Sequence, residues 1–193
     1  MGPGSVLSIQ YTRFEKCGQR GLLGKYCSHF HLIQRCQDCK LVGNAFEYGH
    51  QRGTVIHGTH LSTVENNVYS DIRGGLVYVE DGNEMYNRIF HNVGICPWAK
   101  FGEKRGCTIP GTDNGQADTS DNQAGLWGLS FTNYAIGNRF ANNFNGMLYQ
   151  EAGFSNGRGP VTNKVCASFQ QMGRLEGIFS SFQRLNIRML FIL

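Results

Sequence analysis

A five-residue pattern, in which asparagine lies between two apolar positions, recurs along the chain. The asparagine positions are separated by 22, 21, 51 and 25 residues, so the third interval holds about two periods. A period near 22 residues is typical of a β-solenoid, whose coils bury their apolar faces by stacking on one another. The five copies are centred on Asn44, Asn66, Asn87, Asn138 and Asn163.

Short apolar segments preceded by glycine lie between these copies. They are residues 54–57, 76–79, 126–129 and 147–149. In stacked coils, equivalent strands lie about 4.8 Å apart, so equivalent asparagines can hydrogen-bond to one another in an amide ladder. The pattern therefore predicts an all-β fold, a right-handed parallel β-helix, in which the five asparagines form a structural ladder. A β-sandwich also has short, regularly spaced strands, but it does not require asparagine at a constant phase.

The periodicity divides the chain into three parts. We predict a β-helix over residues 5–166 and, within it, an inserted loop over residues 95–124 that breaks the pattern. Cys96 and Cys107 bracket the first part of this loop and are candidates for a disulfide. Residues 167–193 carry apolar positions at roughly helical spacing, which predicts a tail that is either a capping helix or an aberrant end.

Composition narrows the class of protein. Seven cysteines in 193 residues indicate an oxidising compartment, so we expect an extracellular or cell-surface protein. The net charge of +4 is small and scattered, which argues against nucleic-acid binding. Neither a signal peptide nor an apolar run of about 20 residues is present, and we therefore expect no transmembrane segment here and a chain that is part of a longer polypeptide.

Ionisable residues from three coils are expected to form a row on one face of the solenoid: His29 or His31, His57, and Glu80 or Asp81. His29 and His31 alternate within one strand, so they face the same side. His57 ends the corresponding strand of the next coil, and Glu80 and Asp81 follow the strand one coil further on. Such a row can bind a divalent metal ion, act as a general acid and base on a glycosidic bond, or form a hydrogen-bonded polar ladder without catalysis.

Several segments resemble one known family. Residues 13–19, 28–32, 55–60, 79–82 and 126–133 are similar, in the same order, to the β-helix region of fibrocystin-L and the cell surface hyaluronidases, which include the cell migration-inducing hyaluronan-binding protein. The resemblance spans about residues 5–153. It implies an extracellular protein whose relatives bind or depolymerise hyaluronan, some of them with calcium. One departure is Gly74-Gly75, where relatives commonly have Gly-His.

The residues of the predicted row align with characteristic polar positions of the family. The resemblance therefore implies catalytic roles for His29, His31, His57, Glu80 and Asp81. Our first hypothesis is a carbohydrate-directed module that binds a hyaluronan-like polysaccharide and has a polysaccharide-degrading activity, with a divalent cation such as calcium as a candidate cofactor. The alternative is a non-catalytic β-helix scaffold segment of a large cell-surface, receptor-like protein, because a solenoid offers a long, stiff surface without any reaction.

Overall fold

The computed structural model describes residues 2–97, Cys107, residues 124–128, 132–143 and 145–149, and two short strands within residues 175–181. Seventeen strands make up the regular structure of these residues. They are β1 (Ser8–Gln10), β2 (Arg13–Glu15), β3 (Ser28–Arg35), β4 (Lys40–Val42), β5 (Ala45–Gly49), β6 (Thr54–His60), β7 (Thr63–Glu65), β8 (Val68–Ile72), β9 (Val77–Val79), β10 (Met85–Phe90), β11 (Val93–Ile95), β12 (Ala124–Gly128), β13 (Thr132–Ile136), β14 (Arg139–Ala141), β15 (Asn145–Tyr149), β16 (Leu175–Glu176) and β17 (Phe179–Ser181).

Every third strand joins the same sheet, and neighbouring strands are parallel. Sheet A contains β1, β4, β7, β10, β13 and β16, and sheet B contains β2, β5, β8, β11, β14 and β17. Sheet C contains β3, β6, β9, β12 and β15. One coil is thus three strands, one from each sheet. This topology confirms the predicted parallel β-helix, and it excludes the β-sandwich, whose sheets are antiparallel.

The core consists of files of side chains from successive coils. In sheet B, the rings of Phe14 and Phe46 stack with centroids 4.5 Å apart, and those of Phe46 and Tyr69 with centroids 4.8 Å apart. The next position in this file is Gly94, where an added Cβ would collide with Leu76. Because interiors are close-packed, the missing side chain at Gly94 leaves the space that Leu76 fills.

The asparagine ladder lies at the corner between sheets A and B, and its membership differs from the prediction. Three Nδ2–Oδ1 hydrogen bonds of 2.9–3.0 Å join the four ladder residues, each from one coil to the next, and all four side chains are buried. Each ladder residue follows a residue with positive φ, such as Gly43 (66°) or His91 (54°), which turns the chain so that the next side chain points inward. The ladder comprises Asn44, Asn67, Asn92 and Asn138.

Two of the predicted ladder residues occupy other places. Asn66 is the positive-φ residue of its corner (φ 55°) and is exposed, so its neighbour Asn67 takes the ladder position. Asn87 belongs to a second ladder, at the corner between sheets C and A, where it lies between Ser62 and Asn133. Asn163 lies outside the described residues. The apolar–Asn–apolar pattern finds the corners but does not distinguish the outward residue from the inward one.

The structure describes both ends of the predicted inserted loop and part of the predicted tail. Strand β11 ends at Ile95 and β12 begins at Ala124, and within the intervening segment Cys96 and Cys107 form a disulfide. Two further disulfides are Cys17–Cys27 and Cys36–Cys39. Strands β16 and β17 pair in parallel with β13 and β14, so sheets A and B extend beyond residue 166 into the predicted tail. Over the described residues, we find no helix of the length and apolarity that crossing a membrane requires.

Candidate functional site

The predicted site lies on the outer face of sheet C, where two files of side chains run across the coils. The first file starts at His29 and continues through Val55, Tyr78 and Trp127, which are in register. The second file pairs His31 with His57 in register. Glu80 follows β9 and its backbone N–H donates to the carbonyl of Ile56 at 3.0 Å, which places Glu80 next in the second file. Sequence positions up to 52 residues apart therefore meet on one surface.

The His57 ring contacts the carboxylates of both Glu80 and Asp81. Its Nε2 lies 2.9 Å from Oδ2 of Asp81, and its Nδ1 lies 3.6 Å from Oε2 of Glu80. The hydrogen bond with Asp81, and secondarily the charge of Glu80, raise the pKa of His57, although partial burial lowers it. The side chain of Asp81 is 32% exposed and that of Glu80 is 11% exposed. Asp81 is thus the carboxylate that solvent reaches more freely.

His29 and His31 complete the cluster at the first coil. Their ring centroids lie 4.7 Å apart, and the His31 and His57 centroids lie 4.9 Å apart. Burial, followed by the neighbouring imidazoles, lowers the pKa of His29 to about 3, and burial also lowers the pKa of His31. One nitrogen from each of His29, His31 and His57 lies within 4.8 Å of the others. The structure therefore brings together all five residues of the predicted row; their roles stay a prediction.

His50 and His60 do not join this cluster. His50 is exposed in the segment before β6. His60 accepts a hydrogen bond at Nδ1 from the backbone N–H of Met85 at 3.1 Å, and burial lowers its pKa. His60 thus supports the packing of adjacent coils.

A buried arginine, which the sequence did not single out, supports the first file. The Arg52 guanidinium lies 3.5 Å from the centroid of the Tyr78 ring, and Tyr78 stacks on Trp127 with centroids 3.9 Å apart. Its Nη1 donates to the Tyr26 hydroxyl at 3.1 Å and lies 3.9 Å from Oε1 of Glu80. Arg52 is only 1% exposed. It therefore links the aromatic file to a carboxylate of the candidate site.

Glu84 is a second buried ionisable residue that sequence reasoning missed. Its carboxylate accepts hydrogen bonds from the backbone N–H groups of Gly58 (2.9 Å), Asp81 (3.1 Å) and Gly82 (2.8 Å). Burial raises the pKa of Glu84 to about 7, against the lowering effect of these donors. Because Glu84 binds both the residue after His57 and the backbone of Asp81, it holds the turn that carries Asp81 against β6.

The titration of Glu84 predicts a pH dependence of stability. The unfolded chain releases the Glu84 proton near pH 4.5 and the folded chain near pH 7, so the folded state loses stability as pH rises between these values. The loss corresponds to roughly 3 kcal/mol. A Glu84→Gln variant cannot lose this proton, so its free energy of unfolding in urea should lack this pH-dependent part. The difference in unfolding free energy between the wild type and the variant should therefore shrink from pH 4.5 to pH 7. Parallel pH profiles of the two proteins would contradict the assignment.

An open surface depression, called the cavity below, adjoins the histidine cluster. Its volume is about 490 Å³, and it is lined by Leu23, Gly24, Lys25, His29 and His31. The lining combines an ammonium group, two imidazoles and an exposed apolar side chain, which suits a polar ligand with anionic groups. The donor set of the cluster does not suit calcium, which takes six to eight oxygen ligands, because three of the five side chains offer only imidazole nitrogens.

Comparisons with known proteins agree with the topology. The family model described as CEMIP beta-helix matches residues 1–177. Fibrocystin-L of Homo sapiens is 36% identical over 88 residues, which are 45% of this chain and 2% of that protein, and Fibrocystin-L of Mus musculus gives the same values. Protein rliB of Dictyostelium discoideum is 35% identical over 92 residues, which are 48% of this chain and 8% of that protein.

The chain thus spans a small part of the length of these curated relatives. No solved structure matches it. The family match covers most of the chain, including every strand of the first five coils. This protein therefore belongs to the CEMIP beta-helix family.

Proposed function

We propose that this chain is a carbohydrate-directed β-helix module of an extracellular protein, which binds and depolymerises a hyaluronan-like polysaccharide on the outer face of sheet C. The observation that carries the proposal is the convergence of His29, His31, His57, Glu80 and Asp81 on one partly exposed surface beside a cavity. A purely structural polar ladder has no need of an adjoining cavity. Secretion is supported by three disulfides, which persist in oxidising compartments.

The shape of the surface suits an extended polymer. Successive strands of sheet C lie about 4.8 Å apart, so a chain of sugar rings laid along the second file meets His31, His57 and then Glu80. The first file is closed to such a chain beyond His29, because Val55, Tyr78 and Trp127 are buried. Lys25 supplies a cation beside the cavity for the carboxylates of an acidic polysaccharide, and the imidazoles of His29 and His31 offer hydrogen bonds to hydroxyl groups.

The pair formed by Asp81 and His57 supplies the proton transfer that cleavage of a glycosidic bond requires. Asp81 is the more exposed carboxylate, and the 2.9 Å contact with Nε2 of His57 fixes its orientation. In the proposed mechanism Asp81 exchanges a proton with the glycosidic oxygen or the attacking water, while His57 and Glu80 set the charge around it. A positioned general acid or base of this kind increases the rate of the reaction about 10²–10⁴-fold.

An Asp81→Asn variant tests this function. We expect the full-length protein to shorten fluorescently labelled hyaluronan, measured by size-exclusion chromatography, and the variant to do so at least about 100-fold more slowly. Binding should change little, because asparagine keeps the shape and one acceptor oxygen. Asp38→Asn is the matched control, since it removes the same charge from an exposed turn before β4.

Two results would overturn parts of the proposal. If the wild-type protein binds the polysaccharide without shortening it, the depolymerising role is wrong and the binding role remains. If it neither binds nor shortens a panel of acidic polysaccharides, the scaffold hypothesis accounts for the chain. The match to a small part of Fibrocystin-L, a much longer protein, is the observation that favours the scaffold hypothesis.

A further inference from the structure

The three-histidine cluster is built differently from an ordinary polar ladder. A ladder satisfies its own groups, as the buried asparagines do. The Nε2 atom of His29, in contrast, is buried and has no hydrogen-bond partner among the described residues. Burial of a polar nitrogen without a partner costs free energy, so an atom of this kind calls for an explanation by strain, by function or by a bound group.

The hydrogen bond on the other side of the His29 ring fixes which nitrogen can coordinate. Nδ1 lies 3.3 Å from the carbonyl oxygen of Gly24, which can only accept, so Nδ1 carries the proton. Nε2 therefore holds a free lone pair directed away from Gly24. Metal-binding histidines show the same arrangement: one ring N–H donates to a backbone carbonyl or a carboxylate, and the lone pair of the other nitrogen binds the metal.

His57 has the same kind of support from a carboxylate. Its Nε2 contacts Asp81 at 2.9 Å, so the ring can keep this contact while Nδ1, which lies 3.6 Å from Oε2 of Glu80, binds an ion. The carboxylate then increases the basicity of the coordinating imidazole. His31 lies between the other two rings and is partly exposed, which gives an ion a route from solvent.

We propose that His29, His31 and His57 bind a divalent transition-metal ion of the zinc type, with one coordination position left for water or for a ligand. Three imidazole nitrogens are the donor set that such ions prefer, whereas calcium prefers oxygen. In a tetrahedral site the nitrogens are about 3.4 Å apart, and one nitrogen of each ring already lies within 4.8 Å of the others, so rotations of the side chains bring the three rings to an ion. The site shares side chains with the proposed function but does not depend on polysaccharide cleavage.

Zinc binding by the full-length protein tests the inference. After removal of metals with a chelator, Zn²⁺ is titrated against a chromophoric competitor into the wild type and into His29→Ala, His31→Ala and His50→Ala variants. We expect one high-affinity equivalent in the wild type and in His50→Ala, whose histidine is exposed elsewhere. In the other two variants its affinity should fall by at least about 100-fold. Excess Ca²⁺ should not displace the ion.

A second measurement needs no variant. Co²⁺ replaces Zn²⁺ in tetrahedral sites and then absorbs visible light, so the wild-type protein should gain such bands with one equivalent of Co²⁺ and lose them when Zn²⁺ is added. Equal zinc affinity in all four proteins, or no visible Co²⁺ absorption, would overturn the inference. Metal equivalents and polysaccharide length are separate measurements, so failure of the metal site is distinguishable from failure of the proposed function.

Discussion

Replacing Asn67 by alanine should destabilise the central coils by about 3 kcal/mol or more. The Asn67 amide accepts from the backbone N–H and the Nδ2 of Asn44, and it donates to the carbonyl of Leu41 and to Oδ1 of Asn92. All of these groups are buried, so alanine leaves several donors and acceptors unpaired at about 1–3 kcal/mol each. Native-state hydrogen exchange of β4 to β10 measures the effect, and exchange should become at least roughly 100-fold faster.

Asn66→Gly is the matched control for this variant. Asn66 precedes Asn67 in the chain, is exposed, and has a φ of 55° that glycine adopts readily. We expect its effect on local opening to stay within about 0.5 kcal/mol. If both variants accelerated exchange to the same extent, the inward ladder position would be wrongly assigned.

The fold was predictable because every coil of the solenoid has the same structural requirement. Each coil needs a corner at which a polar side chain turns inward and is satisfied by its neighbours, and asparagine meets this need with one donor group and one acceptor. The recurrence of asparagine therefore predicted the parallel β-helix correctly. The exact ladder residue was not predictable from the apolar spacing, because Val64 and Val68 flank Asn66 just as Val42 and Phe46 flank Asn44.

Backbone conformation explains the difference between these two corners. At one corner Gly43 takes the positive φ and Asn44 follows, while at the next Asn66 itself takes the positive φ and Asn67 follows. Asparagine tolerates this conformation better than most residues, so it serves in both roles. A search for a glycine or asparagine followed by asparagine would have found three of the four ladder positions, those of Asn44, Asn67 and Asn138.

The candidate site was predictable where register alone decides proximity. Counting along the repeat predicted that the two histidines of β3, His57 and the acidic pair after β9 lie close together. The observed register pairs His31 with His57 and puts Glu80 next to them. Arg52 and Glu84 were not predictable in this way. Both are charged residues that lie in the interior only because particular distant partners surround them, and no periodicity of the sequence encodes those partners.

Arg52→Ala should be the most destabilising single change at the site. Arg52 is buried between Tyr26 and Tyr78, and its guanidinium contributes both a cation–π contact and a charge near Glu80. Alanine leaves a cavity and removes that charge, which together cost about 3–5 kcal/mol. Urea unfolding of the wild type and the variant measures the loss. Arg52→Lys keeps the positive charge but lacks the planar guanidinium that stacks on Tyr78, so we expect an intermediate loss of stability.

An exposed arginine over an aromatic ring provides the control for this prediction. The Arg88 guanidinium lies 5.0 Å from the centroid of the Phe90 ring, and its side chain is exposed. A cation–π contact of this kind contributes about 0.5–1 kcal/mol, so Arg88→Ala should cost no more than that. The contrast isolates burial as the cause, because both residues stack on a ring and only Arg52 is enclosed. Equal losses in Arg52→Ala and Arg88→Ala would show that the buried guanidinium does not support the outer face of sheet C.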